Sequence, residues 1–278
     1  MIQTKVGVGL IGCGAIGTVI AEAIDRGEIN NLSLVIAYDI IPERTENLVF
    51  KLSHKPLIAR SLNEILERSD VQLIIEAASQ EFVKDCAIKI LNSNKDLLVM
   101  STGALLDETL FSEIIKVTEK TGRRLYVPSG AIVGIDNIKS AALGRIEEIT
   151  LITRKPPASF RDAKLIKKIK NDLSSIKEPI VLYEGSAREA VKIFPQNINV
   201  AATLSLAGIG PDKTRVKIIA DPNIKDIVHE IYAKGEFGEI YTRTVNKPFP
   251  NNPKTSYIAA LSAIATLKRI ASSIIIGT

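Results

Sequence analysis

Short apolar runs alternate with amphipathic stretches through the first half of the chain. The apolar runs are typical of strands and cover residues 5–11, 34–38, 71–78, 96–102 and 124–128. Helical patterns follow several of them, at residues 15–24, 81–92 and 107–121, and a capping box at Ser61–Glu64 opens a further short helix. Residues 71–78 are almost continuously apolar, as expected for a parallel strand covered on both faces. The pattern predicts an α/β fold with a Rossmann-type doubly wound parallel sheet.

The second half changes character from about residue 145. Alternating stretches predict strands at IEEITLITRK, TRVKIIAD, IVHEIYAKG and GEIYTRTVN, while helices are predicted at 164–172, 186–194 and 196–208. This order predicts a second α+β domain with a mixed or antiparallel sheet. The segment 252–273 predicts a long final helix, whose periodic face comprises Tyr257, Leu261, Ile264, Leu267 and Lys268. We therefore expect a Rossmann domain at 1–133, an α+β domain at 134–250, and a helix at 251–278 that packs back on the first domain.

A glycine-rich motif joins the first strand to the first helix. Gly12, Gly14 and Gly17 form G-x-G-x-x-G directly after a strand, with Ala15 and Ile16 opening the helix. The first glycine permits a tight turn, the second lets the backbone approach a pyrophosphate, and the third lets helix and strand pack closely. The N–H groups at the helix N-terminus favour phosphate. The motif predicts NAD or NADP binding.

Asp39 supports this prediction because it ends the second strand, 22 residues after Gly17, where an acid can bind the adenosine ribose hydroxyls. The alternative is a turn or helix-cap acid before Pro42. Arg44 lies nearby and can meet a 2′-phosphate, so the choice between NAD and NADP stays open.

Three polar turns follow the strand ends, where ligands bind in such sheets. They are Ala78-Ser79-Gln80, Ser101-Thr102-Gly103-Ala104 and Pro128-Ser129-Gly130-Ala131. We expect at least one cofactor contact among them.

His229 lies within a predicted strand, on the same face as Ile227 and Ile231. A half-buried neutral imidazole there suits general acid–base catalysis, and a structural role is equally open. The other histidine, His54, precedes Lys55-Pro56 near a helix end and is interpreted as a surface residue.

Composition narrows the function classes. The chain has 278 residues, a net charge of +5 and a pI of about 9.1. Its lysines are interleaved with acids, Trp is absent and aromatic residues are few, which argues against nucleic-acid binding. Two cysteines, no spaced metal motif, no signal peptide and no membrane-length apolar run predict a cytoplasmic protein without a structural metal.

Several stretches together resemble the L-aspartate dehydrogenase family. They are GLIGCGAIGTVIAEAID, AASQEFV, STGAL, PSGAIVGID, TRKPP, FPQNINVAATLSLAGIG, ADP, VHEI and NPKTSYIAALSAIATLK, in the order of the family. The resemblance implies oxidation of L-aspartate by NAD(P)⁺ to iminoaspartate, which water converts to oxaloacetate and ammonia, as a supply for de novo NAD synthesis. It implies a homodimer, His229 as the catalytic residue, and cofactor contacts at Ala131 and Asn199.

The substrate has two carboxylates, which require cations or several N–H groups. Arg154 and Lys155, at the end of a predicted strand, are the candidates together with Asn197, and Lys254 is a weaker one. Two alternatives stay open: another reductase of this architecture, similar to dihydrodipicolinate reductase or homoserine dehydrogenase, and a non-enzymatic NAD(H) sensor.

Overall fold

The computed structural model describes residues 5–160, 173–195, 198–249 and 252–277. Contacts divide the chain into two compact units. The first comprises Met1–Pro128 with Ala260–Ile276, and the second comprises Ser129–Ala259 with Gly277–Thr278.

The first unit is built on a six-stranded parallel sheet. Its elements are β1 (Val6–Ile11), α1 (Ala15–Asp25), β2 (Leu32–Tyr38), α2 (Pro42–Lys51), β3 (Leu57–Ile58), α3 (Leu62–Leu66), β4 (Leu73–Glu76), α4 (Gln80–Asn92), β5 (Asp96–Val99), α5 (Glu108–Thr121) and β6 (Leu125–Tyr126). The strand order is β3-β2-β1-β4-β5-β6, the Rossmann order that reverses between β1 and β4. The predicted doubly wound sheet is confirmed.

Local signals in the sequence account for most of these elements. The apolar strands β1, β4 and β5 bury both faces, and Val8, Leu10, Ile74 and Leu98 are fully buried. Ser61 is the N-cap of α3, as predicted, and its Oγ accepts from the Glu64 N–H. The return bond of the predicted capping box is shifted by one residue, because the Glu64 carboxylate accepts from the N–H of Arg60 and not from that of Ser61. The short edge strand β3 and the helix α2 were not predicted.

The second unit contains a five-stranded mixed sheet. Its elements are α6 (Ile135–Ala141), β7 (Ile146–Lys155), β8 (Ile180–Ser186), α7 (Ala187–Ile193), α8 (Asn199–Ala207), β9 (Arg215–Ala220), β10 (Ile227–Gly235) and β11 (Gly238–Asn246). The order is β11-β10-β7-β9-β8, in which only the β7–β9 pair is parallel. The predicted α+β domain with a mixed sheet is confirmed, although α6 was not predicted.

The two faces of this sheet differ in burial. On β7, the alternate residues Ile149, Leu151, Thr153 and Lys155 are buried. Helices α6 and α8 cover this inner face, because a Cβ placed on Gly208 would lie 2.5 Å from Ile149 Cδ1 and 3.2 Å from Ile138 Cγ2. The two helices therefore cover the inner face at Ile149, and the buried residues of β7 that share this face are mostly apolar.

The C-terminal segment differs from the prediction. Residues Asn252–Ser256 form β13, which pairs antiparallel with β12 (Pro248–Phe249), so the final helix α9 runs only over Tyr257–Ala271. Pro253 explains the shift, since the residue before a proline avoids the helical region. The buried face of α9 comprises Ala260, Ala263, Ile264 and Leu267. Tyr257 and Leu261 are exposed, so the predicted face was partly wrong. The helix predicted at 164–172 lies outside the described residues.

Candidate active site

The glycine-rich loop lies at the point where the strand order reverses. Gly12 has φ +91°, and a Cβ there would lie 2.5 Å from the backbone carbonyl of Ala77 in the loop after β4. A Cβ on Gly17 would overlap the carbonyl oxygen of Gly12. Both positions therefore require glycine for backbone packing.

The start of α1 fits a pyrophosphate. Gly14 is the N-cap of α1. Apart from its two chain neighbours, no described residue has an atom within 4 Å of the position that a Cβ on Gly14 would take, so the backbone faces open space. The cap has no side-chain hydrogen bond, and the first turn, which begins with Ala15 and Ile16, contains no acidic residue. An 11-residue helix that begins in this way offers N–H donors and a partial positive charge to an anion.

Asp39 follows β2 at the same sheet edge and is buried. Its Oδ2 accepts from the Cys13 N–H at 2.8 Å, and its Oδ1 accepts from the Ile41 N–H at 2.9 Å. The side chain thus organises its own turn, but it does not cap α2, whose N-cap is Ile41. Arg44 Nη1 lies 3.9 Å from Asp39 Oδ1 and is more than half exposed. The carboxylate keeps acceptor capacity for ribose hydroxyls beside a cation.

The loop after β4 carries Ala78 and Ser79, both predicted cofactor contacts. The Ala78 N–H donates to Glu76 Oε1 at 2.8 Å, and Ser79 is the N-cap of α4, accepting from the Phe82 N–H at 3.1 Å. The loop after β5 contains Ser101, which also donates to Glu76. Glu76 thereby connects the two loops, a role that sequence reasoning missed although a lone carboxylate ending an apolar run was visible.

The second unit holds His229 on the inner face of its sheet, 3% exposed. Its Nδ1 lies 3.0 Å from the hydroxyl of Thr153, the residue directly opposite on β7. Burial, and secondarily the positive charge of Lys155, lower the pKa of His229 to about 3. The imidazole is therefore neutral at physiological pH, and the Thr153 contact leaves Nε2 as the other functional nitrogen.

Lys155 and Arg154 lie on opposite faces of the sheet. Lys155 shares the inner face with Thr153, is 4% exposed, and burial lowers its pKa to about 8. Arg154 alternates to the other face, where its Nε lies 3.5 Å from Glu230. Of Arg154 and Lys155, the structure brings only Lys155 together with His229.

Ala131 and Asn199, the other predicted cofactor contacts, are neighbours in the second unit. A Cβ on Gly130 would lie 3.6 Å from Val200 Cγ1, so the loop that contains Ala131 packs beside the first turn of α8, which begins at Asn199. Asn197 lies outside the described residues, as does the side chain of Lys254.

Two polar residues of β11, not predicted, connect this loop to the histidine strand. Asn246 Nδ2 donates to the Ala131 carbonyl at 2.9 Å. The Thr244 hydroxyl lies 3.2 Å from the same carbonyl and 3.4 Å from that of His229, its partner across the β10–β11 pair. The alternating pattern of β11 does not single out either residue. What each side chain faces depends on how β11 pairs with β10.

Other features of the described residues give no competing site. They contain no cluster of three or more metal-binding side chains. Within the same residues, no helix has both the length and the apolar character required to cross a membrane. A cavity of 440 Å³ lies at the amino ends of β1 and β2, beside His54, on the opposite edge of the sheet from the glycine-rich loop. As predicted, the His54 side chain is exposed, and it lies 3.1 Å from Asp25.

Two family models match this chain. The model described as "Homoserine dehydrogenase, NAD binding domain" matches residues 12–128, which contain the glycine-rich loop and Asp39. The model described as "Aspartate dehydrogenase, C-terminal" matches residues 136–270, which contain Lys155 and His229.

Similar proteins and structures agree with the two models. The L-aspartate dehydrogenase of Methanosarcina barkeri is 45% identical over 271 residues, covering 98% of this chain and 99% of that protein. The L-aspartate dehydrogenase of Methanococcoides burtonii is 46% identical with the same coverage. Among solved structures, aspartate dehydrogenase from Thermotoga maritima has a TM-score of 0.74 at 28% identity, over 98% of this chain and 100% of that one. The scyllo-inositol dehydrogenase from Lactobacillus casei, at 12% identity and a TM-score of 0.60 over 98% of this chain and 88% of that one, shares the fold alone.

Proposed function

Since the chain belongs to the L-aspartate dehydrogenase family, we propose that it oxidises L-aspartate at the carbon bearing the amine. The protein is an NAD(P)-dependent oxidoreductase. The proposed products are iminoaspartate and the reduced cofactor, after which water converts the imine to oxaloacetate and ammonia. The observation that carries the proposal is the neutral His229 imidazole, buried with Thr153 and Lys155 on one sheet face.

In this proposal the bound cofactor supplies the hydride acceptor, and the protein supplies position and proton transfer. The residues that would hold it are Gly12, Gly14, Asp39 and the first turn of α1. His229 accepts the proton that the substrate amine loses as the imine forms. Thr153 holds the ring through Nδ1, which directs the second nitrogen toward the substrate.

Lys155 has the chemistry to bind one substrate carboxylate. With its pKa lowered to about 8, it remains mostly protonated at neutral pH. A carboxylate beside it offsets part of its positive charge, and that charge is one cause of the low pKa of His229. We therefore expect His229 to be more basic in the substrate complex than in the free protein, which suits a general base.

The proposal also covers the choice of cofactor, the metabolic role, the oligomeric state and the compartment. Asp39 favours NAD, whereas Arg44 beside it leaves NADP as a second cofactor. Supply of iminoaspartate for de novo NAD synthesis follows from the family resemblance. A homodimer follows from the same resemblance. Both cysteines are free thiols, which is consistent with the cytoplasm.

The test measures NADH and NADPH formation with L-aspartate, D-aspartate, L-glutamate and L-homoserine. Wild type, His229→Ala and His54→Ala are compared, because His54 is the other histidine and is exposed. We expect turnover on L-aspartate alone, reduced about 100-fold or more in His229→Ala. We expect NADH affinity to be unchanged in both variants and turnover to be unchanged in His54→Ala.

Other outcomes separate the alternatives. Turnover on L-homoserine in place of L-aspartate would favour a different reductase. NADH binding without turnover on any of the four would favour a sensor. Full activity of His229→Ala on L-aspartate would make the histidine a packing residue.

A further inference from the structure

Glu76 is a charged residue in an otherwise apolar strand. It ends β4, whose sequence is LIIE, and it is 0% exposed. An isolated carboxylate is costly to bury, so its presence requires strong partners. The proposed reaction gives it no role.

The partners are four donors that belong to two different loops. Oε1 accepts from the Ala78 N–H at 2.8 Å and from the Ser101 hydroxyl at 2.7 Å. Oε2 accepts from the N–H groups of Met100 at 3.1 Å and Ser101 at 3.0 Å. Three of the four are backbone N–H groups, which can only donate, so both oxygens must act as acceptors. With two donors on each oxygen, the carboxylate has no capacity left for a ligand.

The loop after β4 lies directly against the glycine-rich loop. The backbone N of Ala78 would be 2.7 Å from a Cβ on Gly12, and the Ala77 N–H donates to the Ile11 carbonyl at 2.7 Å. Strands β1 and β4 are the neighbours between which the strand order reverses, and ligands of such sheets bind in the crevice at that point. The loop that Glu76 holds therefore forms one wall of the crevice, and the glycine-rich loop forms the other.

We propose that Glu76 is a positioning residue for the nicotinamide dinucleotide, which fixes the loops after β4 and β5 beside the glycine-rich loop without contacting the cofactor. A single carboxylate holds both loops in place, so its loss releases Ala78 and Ser101 together. The two loops must then be ordered when the cofactor binds, and this entropic cost lowers the affinity of the protein for the cofactor. This inference rests on the NAD-binding domain and not on the proposed substrate.

The experiment uses the full chain and the variants Glu76→Gln, Ser101→Ala and Lys95→Met. In Glu76→Gln an amide NH₂ replaces one of the two accepting oxygens. This NH₂ group then faces hydrogen-bond donors, which lose their acceptor. Ser101→Ala removes one of the four donors and leaves the backbone intact. Lys95→Met is the matched control: Lys95 is also buried, but it precedes β5 at the opposite sheet edge, where it donates to the Arg68 and Val71 carbonyls. For each protein, the Kd of NADH, the KM of NAD⁺ and the Tm are measured.

We expect Glu76→Gln to raise the NADH Kd and the NAD⁺ KM about tenfold or more, while kcat at saturating cofactor changes little. Ser101→Ala should raise both constants by a smaller factor. Lys95→Met should lower the Tm and leave the NADH Kd unchanged. Unchanged NADH Kd in Glu76→Gln and Ser101→Ala, or an equal rise in Lys95→Met, would overturn the proposal. If Glu76→Gln does not fold, the comparison of Ser101→Ala with Lys95→Met decides.

Discussion

Lys155→Met tests whether the inner face of the second sheet carries a buried charge for the substrate. Methionine keeps the unbranched apolar stem and removes the ammonium group. Burial lowers the pKa of Lys155 from 10.5 to about 8. The folded protein therefore binds this proton less tightly than the unfolded chain, and folding disfavours the protonated form relative to the neutral form.

The size of the stability change and the pH range over which it occurs follow from the two pKa values of Lys155. The difference between 10.5 and about 8 corresponds to about 3 kcal/mol at most. Below pH 8 both states are protonated, so the folded wild type bears the full cost. Between pH 8 and 10.5 the unfolded chain binds more protons than the folded chain, so wild-type stability rises with pH. The stability of Lys155→Met relative to that of wild type should accordingly fall as the pH rises through this window, by about 3 kcal/mol at most.

The assay is chemical denaturation of the cofactor-free proteins at about pH 7 and about pH 10, which bracket most of the titration. Other groups that titrate in this range cancel in the difference between wild type and variant. Lys234→Met is the control, because Lys234 lies on β10 of the same sheet with its side chain 51% exposed. Its substitution should change stability by about 0.5 kcal/mol or less at either pH.

The same variant should lose function. Removal of the ammonium leaves a substrate carboxylate without its cation, so the KM for L-aspartate should rise strongly while NADH affinity stays unchanged. A stability difference between the two proteins that does not change with pH would refute the buried charge. A difference that changes with pH, together with an unchanged KM, would remove Lys155 from substrate binding.

Three further predictions concern single side chains. Thr153→Val removes the hydroxyl beside the catalytic imidazole and should lower kcat about tenfold, whereas Thr153→Ser should retain activity, and equal kcat in both would contradict the contact. Asp39→Ala should weaken NAD binding and raise the NADP-to-NAD affinity ratio, because Arg44 loses its neighbouring carboxylate; an unchanged ratio in Kd measurements would exclude this role for Asp39. Gly12→Ala should abolish NADH binding or folding, because the added Cβ would overlap the backbone of Ala77 in the loop after β4. Gly27→Ala, at φ +70° in open space, should lower the free energy of unfolding by only about 1–2 kcal/mol, and equal effects in the two glycine variants would argue against the overlap.

The sequence determined the first unit closely because its signals are local. A buried parallel strand is apolar along its whole length, and a glycine-rich turn requires glycine whatever lies elsewhere in the chain. The strands β10 and β11 were predicted with their observed bounds for the same reason, since their alternation is a property of consecutive residues. Gly12, Asp39 and His229 could thus be named as candidates without a structure.

Only the tertiary structure decided which of the candidates act together. Thr153 and His229 are 76 positions apart, and their contact depends on the register of β7 against β10. The register of β7 against β10 also decided that Lys155, and not Arg154, shares the sheet face of His229, where the sequence treated the two cations as equivalent. Glu76 has its hydroxyl partner 25 positions away, so its role follows from the packing of two loops. Pairing between distant segments is a property of the folded chain, and no local pattern encodes it.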